Sequence, residues 1–228
     1  PCNYALLRLQ PPASMPVKPE ARPVVVVDPR AGHGPGIGGF KFDSEVGMAM
    51  RAGHTVYFVT FRPEPEDGQT LLTVMDSEAL FIEEVIRRHP QCPAKPVVIG
   101  NCQAGWAMMA LNARRPELFG PLMIVGAPVS YWAGSSTLNP MRYSGAQLGG
   151  SWLASMTSDL GADRFDGAYL VENFEKLNPA NTLWNKYYNL WAGVDTEAER
   201  FLEFERWWGG YFRMTGSEIE SIVENLFV

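Results

Sequence analysis

The sequence predicts a three-layer α/β fold with a mainly parallel sheet and a helical cap. Two observations support this prediction. Up to Ala127, short runs rich in β-branched and aromatic residues alternate with helical stretches at the spacing of βαβ units. Beyond Ala127 no clear apolar strand recurs, and helical stretches are rich in aromatic residues. Six of the seven tryptophans lie there: Trp132, Trp152, Trp184, Trp191, Trp207 and Trp208.

Local sequence features predict each strand and helix of the core. Val24–Val27 is a β-branched run between two prolines, which is typical of a buried strand. Asp43 or Ser44 can cap the next helix, which is predicted to end at Arg51, before Gly53. Strands and helices then continue to alternate. They are strands at 55–61, 96–99 and 121–125 and helices at 70–88 and 102–113.

The prediction divides the chain into three parts. Residues 1–22 are rich in proline and are expected to be irregular, residues 23–134 form a partial α/β core, and residues 135–228 form an aromatic-rich helical cap. The chain begins at Pro1 and ends at Val228 without a polar tail. We therefore expect a fragment, with the last strands of the sheet outside this sequence.

Composition and charge exclude several classes of function. Hydrophobic residues make up 46% of the 228 residues, as in a chain that folds. A net charge of −6 without a basic stripe argues against a nucleic-acid partner. No apolar run reaches the roughly 18 residues of a membrane span. Cys2, Cys92 and Cys102 lack the spacing of a disulfide framework or a metal site, so we expect a cytoplasmic protein without a metal.

One motif carries chemistry. The sequence V-V-I-G-N-C-Q-A-G-W places Cys102 between a predicted strand and a predicted helix, flanked by Gly100 and Gly105. This is the nucleophile-elbow pattern of α/β-hydrolases with Cys in place of Ser. The glycines are needed because side chains in so tight a turn would collide with the neighbouring strand and helix. The helix N-terminus is expected to lower the pKa of the thiol and to stabilise developing negative charge.

Residues around the predicted nucleophile receive supporting roles. The backbone N–H of Gln103 is predicted to be one oxyanion donor, because it follows the nucleophile. The second donor is predicted to be the N–H of Arg30 or Ala31, in the glycine-rich loop after the first predicted strand. The predicted substrate contacts are His33, Asn101 and Trp106.

Two alternatives to a catalytic elbow remain open. A cysteine between a strand and a helix is often only a small buried hydrophobic residue. The run from Gly34 to Gly39 also matches the dinucleotide motif G-x-G-x-x-G. Against a dinucleotide site, Pro35 removes an N–H that could bind a pyrophosphate, and the next predicted strand ends in Phe61 and Arg62 and not in an acidic residue that could bind a ribose.

This sequence does not supply a complete catalytic triad in the expected order. In the α/β-hydrolase order, an acid and then a histidine follow the nucleophile. The histidines, His33, His54 and His89, all precede Cys102, and His89 is expected to end a helix at the surface. Four aspartates follow Cys102 within the predicted cap, where we expect solvated or capping roles. They are Asp159, Asp163, Asp166 and Asp195.

Longer motifs suggest a family. The chain resembles a bacterial family of unknown function whose members are often labelled poly(3-hydroxyalkanoate) synthetase-like. The resemblance rests on D-P-R-A-G-H-G-P-G-I-G-G-F-K, A-G-H-T-V-Y-F-V, I-G-N-C-Q-A-G-W, N-P-A-N-T-L-W and F-E-R-W-W-G-G. Polyhydroxyalkanoate synthases are more distantly similar. That resemblance implies an acyl thioester on Cys102, with the partner Asp and His expected beyond Val228.

The combined hypothesis is a cysteine-nucleophile acyltransferase that acts on hydroxyacyl thioesters and is inactive as this fragment alone. Acyl-coenzyme A is the expected substrate, a polyester is the expected partner, and no cofactor is expected. If a homodimer forms, we expect it to form through the cap at 135–228. The alternatives are an esterase or thioesterase that uses the same Cys102, and a non-catalytic partner of storage granules.

Overall fold

The computed structural model describes residues 2–30, 44–127 and 150–226. Its larger sheet has five strands within these residues, in the spatial order β1-β3-β2-β4-β5. The strands are β1 (Tyr4–Arg8), β2 (Val24–Val27), β3 (Val56–Phe61), β4 (Val97–Asn101) and β5 (Leu122–Val125). Strands β2 to β5 run parallel, while β1 pairs with β3 in the antiparallel direction.

Helices cover both faces of this sheet. Helix α1 (Glu45–Arg51) packs against one face, where Val24, Val26 and Ile99 are buried. Helices α2 (Leu71–Arg88) and α3 (Gln103–Arg114) pack against the other face. The four valines of β2 are buried because the strand is central and has helices on both sides. The predicted three-layer, mainly parallel α/β architecture is confirmed.

Local sequence explains where these helices begin. The Ser44 hydroxyl accepts a hydrogen bond from the Gly47 N–H at 3.1 Å, so Ser44 caps α1 as one of the two predicted residues. Thr70 caps α2 by accepting from the Thr73 N–H at 3.2 Å. Both contacts satisfy N–H groups that have no partner within the first turn of a helix.

The expectation of an irregular segment at 1–22 is wrong for β1. Tyr4 pairs with Phe61 and Arg8 with Tyr57, which makes β1 an edge strand of the main sheet. The run Y-A-L-L-R has no alternation of apolar and polar residues, and only its partner β3 makes it a strand.

The second part of the chain is mostly helical. Its elements are α4 (Trp152–Leu160), β6 (Arg164–Asp166), α5 (Ala168–Leu177), a π-helical segment (Ala180–Asn185), α6 (Lys186–Ala192), α7 (Val194–Trp208), β7 (Arg213–Thr215) and α8 (Gly216–Leu226). The expectation that residues 135–228 are helical is wrong at β6 and β7, which form a two-stranded antiparallel sheet. These strands have three residues each, which is too short for a periodic signal.

The end of the described chain belongs to the main core. Met214, Ile219 and Ile222 are buried in the same hydrophobic cluster as residues of β3, α2 and α3. The rings of Phe61 and Phe212 lie 5.1 Å apart at their centroids. Because Phe61 ends β3, the segment β7–α8 contacts the sheet near the carboxyl end of that strand. The predicted boundary near residue 134 stays a prediction.

No helix in the described ranges is both long and apolar enough to span a bilayer.

Candidate active site

Cys102 lies in the sharp turn between β4 and α3. Its backbone has φ 49° and ψ −123°, a conformation that non-glycine residues rarely adopt. The Cys102 N–H still donates to the Val125 carbonyl at 2.9 Å, so the strand pairing reaches the turn itself. The side chain is therefore presented, partly exposed, at the carboxyl end of a central strand.

Gly100 and Gly105 make this turn possible. A Cβ atom on Gly100 would lie 2.8 Å from the Ala104 carbonyl oxygen. A Cβ atom on Gly105 would lie 2.4 Å from the Cβ of Ala127 and 3.0 Å from the Gly100 carbonyl oxygen. Real Cβ atoms do not approach other atoms so closely, so both positions need glycine for the reason that the sequence predicts.

The spacing of the motif differs from the usual elbow pattern. The second glycine follows Cys102 by three residues, and Ala104 stands where G-x-C-x-G would have a glycine. Ala104 is buried, whereas Gly105 makes the closest approach to the neighbouring residue Ala127. In this chain the small residue at the contact between helix and strand is thus Gly105.

The thiol of Cys102 is not activated by its described surroundings. Burial raises its pKa above the ordinary value, and the backbone N–H of Gln103 only partly offsets this effect. The expectation that the helix N-terminus lowers the pKa of the Cys102 thiol is therefore wrong, because the effect of burial is larger. Desolvation of the thiolate outweighs one hydrogen bond, and a nucleophilic role for Cys102 would require a general base.

Arg30 shares the carboxyl edge of the sheet with Cys102. Val27 of β2 pairs with Gly100 of β4, so both strands end at the same edge. Arg30 also has a positive φ, 56°. Its backbone N–H donates to Asp28 Oδ1 at 3.0 Å, so this predicted oxyanion donor is already engaged.

The other predicted site residues differ in their surroundings. Gln103 directly follows Cys102, and its backbone N–H contacts the thiol. Asn101 is buried and its Nδ2 donates to Glu45 Oε2 at 2.6 Å, which ties β4 to α1. Trp106 is buried in the core and its indole N–H has no partner among the described residues, a position that indicates packing. His33, Ala31 and the motif at 34–39 lie outside the described residues.

Neither described histidine can act on Cys102. His54 precedes β3, and its Nδ1 lies 2.7 Å from the Arg22 carbonyl oxygen. His89 Nε2 lies 3.1 Å from the hydroxyl of Tyr57, the second residue of β3. Both histidines are thus at the amino end of the parallel strands, about 13 Å or more from the opposite edge at ~3.3 Å per residue. His89 is also buried, and not at the surface as expected.

The aspartates of the second part have structural roles where the contacts are defined. Asp163 Oδ1 accepts from the Gly216 N–H at 3.2 Å, at the start of α8. Asp166 Oδ1 accepts from the Ala168 N–H at 2.9 Å, at the start of α5. These contacts agree with the expected capping roles.

The sequence of this chain is similar to those of known proteins. A family model described as "Protein of unknown function (DUF3141)" matches residues 1–228. The chain belongs to this family. A Rhizobium meliloti protein described as an uncharacterized protein in the ackA 5′ region is 63% identical over all 228 residues. The chain spans 31% of the length of that relative.

Solved structures give only partial similarities. A monoacylglycerol lipase of Paleococcus ferrophilus is 12% identical, with a TM-score of 0.42, and the match covers 73% of this chain and 55% of that one. A carboxylesterase of Nitrososphaera gargenis is 14% identical, with a TM-score of 0.39, and the match covers 68% of this chain and 53% of that one. The elbow geometry of this chain is therefore the observation that points to a function.

Sequence reasoning missed a buried polar cluster beside the site. Arg30 Nη1 lies 2.8 Å from Glu218 Oε1, although the two residues are distant in sequence. Glu78 and Tyr4 complete the cluster: the Glu78 carboxyl group interacts electrostatically with the Arg30 guanidinium, and the Tyr4 hydroxyl accepts a hydrogen bond from Arg30 Nε. A glutamate at a core position of α2, between apolar Met75 and Ile82, is the one signal that the sequence offered.

Proposed function

We propose that this chain is the nucleophile-bearing part of a cysteine acyltransferase that acts on hydroxyacyl thioesters. The observation that carries the proposal is the left-handed backbone of Cys102 at the end of β4, with Gly100 and Gly105 pressed against its turn. Strain of this kind persists only where the surrounding structure holds it, and it is concentrated at functional sites.

The proposed reaction proceeds in two steps. The Cys102 thiolate attacks the thioester carbonyl carbon, and a new C–S bond forms while the carbonyl oxygen becomes an oxyanion near the Gln103 N–H. The bond to the departing sulfur then breaks, and the coenzyme A thiolate takes up a proton. A hydroxyl group of an acceptor next attacks the acyl-enzyme, loses its proton, and restores the thiol. Thioester exchange is nearly balanced in energy, which suits a cysteine nucleophile.

A base must assist because the pKa of the Cys102 thiol is raised by burial. The described histidines lie at the opposite end of the strands, so we assign the base to a residue outside the described ranges 2–30, 44–127 and 150–226. The edge of the sheet supports this assignment. Among the described residues β5 pairs only with β4, and its Met123 and Val125 side chains are 49% and 41% exposed. A further strand could pair with the edge that β5 leaves open among the described residues.

The test is acylation of the full-length protein by 3-hydroxybutyryl-coenzyme A. We expect the acyl mass on the peptide that contains Cys102, together with release of coenzyme A. Cys102→Ala should abolish both signals, and Cys92→Ala, which changes another free thiol, should retain both. Unchanged coenzyme A release by Cys102→Ala would show that Cys102 is not the nucleophile. Acylation followed by release of free hydroxy acid, without transfer to an alcohol, would indicate a thioesterase.

A further inference from the structure

We propose that Glu218 is a positioning residue: through its ion pair with Arg30, it holds the turn after β2 in the shape that acylation of Cys102 requires. The inference rests on the proposed function, since it concerns the oxyanion side of the same site. Glu218 lies on α8, and it would not touch the substrate.

The strained backbone of Arg30 is the first observation. A φ of 56° is strained for an L-residue, whereas a glycine would adopt it freely. Arginine persists here because its side chain is needed elsewhere. It is buried, with 6% of its surface exposed, and surrounding contacts hold it from several directions.

Those contacts leave Arg30 little freedom. Nη1 lies 2.8 Å from Glu218 Oε1 and donates to Met214 Sδ at 3.5 Å. Nε donates to the Tyr4 hydroxyl, and the guanidinium lies over the Tyr4 ring, 5.4 Å from its centroid. The backbone N–H is bound by Asp28. Residues of β1 and of the β7–α8 segment thus hold the Arg30 side chain in place, while the main chain of Arg30 turns after the end of β2.

Glu218 is itself held rigidly. Its Oε2 accepts from Gln69 Nε2 at 3.1 Å, and its backbone N–H donates to Thr215 Oγ1 at 3.2 Å. Gln69 Oε1 in turn accepts from the Asn3 N–H at 2.9 Å. Glu218 is 1% exposed, so solvent does not screen its charge. A fixed carboxylate of this kind can determine where a guanidinium lies.

The location connects this network to the reaction. Arg30 lies three residues beyond Val27 and Cys102 lies two residues beyond Gly100, and Val27 and Gly100 are paired. The two strained residues therefore leave adjacent strands at the same edge of the sheet. An acyl-transfer site needs its groups fixed in advance, and a shift of the turn at Arg30 would disturb the edge of the sheet at which Cys102 lies.

The experiment compares two reactions of the same thiol in the full-length protein. Acylation by 3-hydroxybutyryl-coenzyme A builds an oxyanion, whereas alkylation by iodoacetamide does not. Glu218→Gln keeps the size of the side chain but removes its charge. We expect Glu218→Gln to slow acylation of Cys102 by about tenfold or more. Loss of a whole oxyanion donor typically slows a reaction by about 100-fold or more, and a displaced turn should have a smaller effect. Alkylation, followed on the Cys102 peptide over a range of pH, should change less than about twofold.

Two further variants keep the test decisive. Arg30→Lys retains the positive charge and loses the planar fork, so it should show the same selective loss even if Glu218→Gln folds poorly. Glu220→Gln, on the same helix but partly exposed, should change neither rate. Equal rates in all variants, or equal losses of acylation and alkylation, would overturn the positioning role. A wild-type Cys102 that is alkylated but never acylated would instead overturn the proposed function.

Discussion

Arg30 and Cys102 carry the same backbone strain at the ends of strands β2 and β4, with φ values of 56° and 49°. These strands are direct neighbours in the sheet. The turn at Cys102 is held by close packing of Gly100 and Gly105, whereas the turn at Arg30 is held by a buried ion pair with Glu218. The two sides of the candidate site therefore depend on different kinds of force, and they can be perturbed separately.

Gly105→Ala should destabilise the fold through the elbow. The new Cβ would lie 2.4 Å from the Cβ of Ala127, and the helix would have to move away from β5. Overpacking of this kind typically costs about 1–3 kcal/mol. Urea unfolding would measure the free energy. The matched control is Gly193→Ala, where the nearest atoms to a Cβ are 3.5 Å away. Equal stability of the two variants would contradict the close packing of the elbow.

Glu78 should make the fold less stable as the pH rises. Burial raises its pKa from 4.5 to about 7, with Arg30 opposing and Glu218 adding to the shift. Between these two values the folded chain keeps a proton that the unfolded chain has lost, so this group reduces the free energy of unfolding as the pH increases.

Glu78→Gln should remove that dependence. The variant cannot ionise, and Oε2 of the wild-type residue has no hydrogen-bond partner among the described residues. We expect the variant to match the wild type near pH 4 and to exceed it at pH 8 by about 2–3 kcal/mol. Chemical unfolding at both pH values, with Glu83→Gln on the exposed side of α2 as control, would measure the difference. A wild-type advantage at pH 8 would refute the buried-carboxyl argument.

Asp28→Asn should preserve the stability of the fold, whereas Asp28→Ala should reduce it. Burial raises its pKa to about 8, so the carboxyl group is largely neutral at pH 7. Asp28→Asn keeps the acceptor for the Arg30 N–H and should match the wild type at pH 7. Asp28→Ala leaves that N–H unpaired and should cost about 1–3 kcal/mol. Thermal unfolding of the two variants compares them directly, and equal losses would exclude the acceptor role.

The thiol of Cys102 in residues 1–228 should react as an unactivated cysteine. Because burial raises its pKa, the rate of alkylation by iodoacetamide should increase about tenfold per pH unit through neutrality. Peptide-level mass spectrometry separates Cys102 from Cys2 and Cys92. A rate that is already constant at pH 7 would reveal a base or a positive charge near the thiol.

The strands and helices around the elbow could be predicted because their signals are local. Val24–Val27 is apolar without interruption, Thr70 and Pro90 bracket α2, and glycines flank Cys102 at positions where a Cβ would collide. The edge strand β1 and the strands β6 and β7 carried no such signal. They are short, and their hydrogen bonds are made with partners distant in sequence.

The sequence by itself determined the α/β architecture, the position of Cys102 between a strand and a helix, and the need for glycine beside it, because hydrophobic periodicity and steric exclusion act between residues close along the chain. Only the tertiary structure decided the balance of charge around the site. The pKa of Cys102 is raised because burial outweighs a single N–H, and Arg30 is held by Glu218 from the far end of the described chain. Desolvation and ion pairing depend on which segments pack together, and that is a property of the folded molecule.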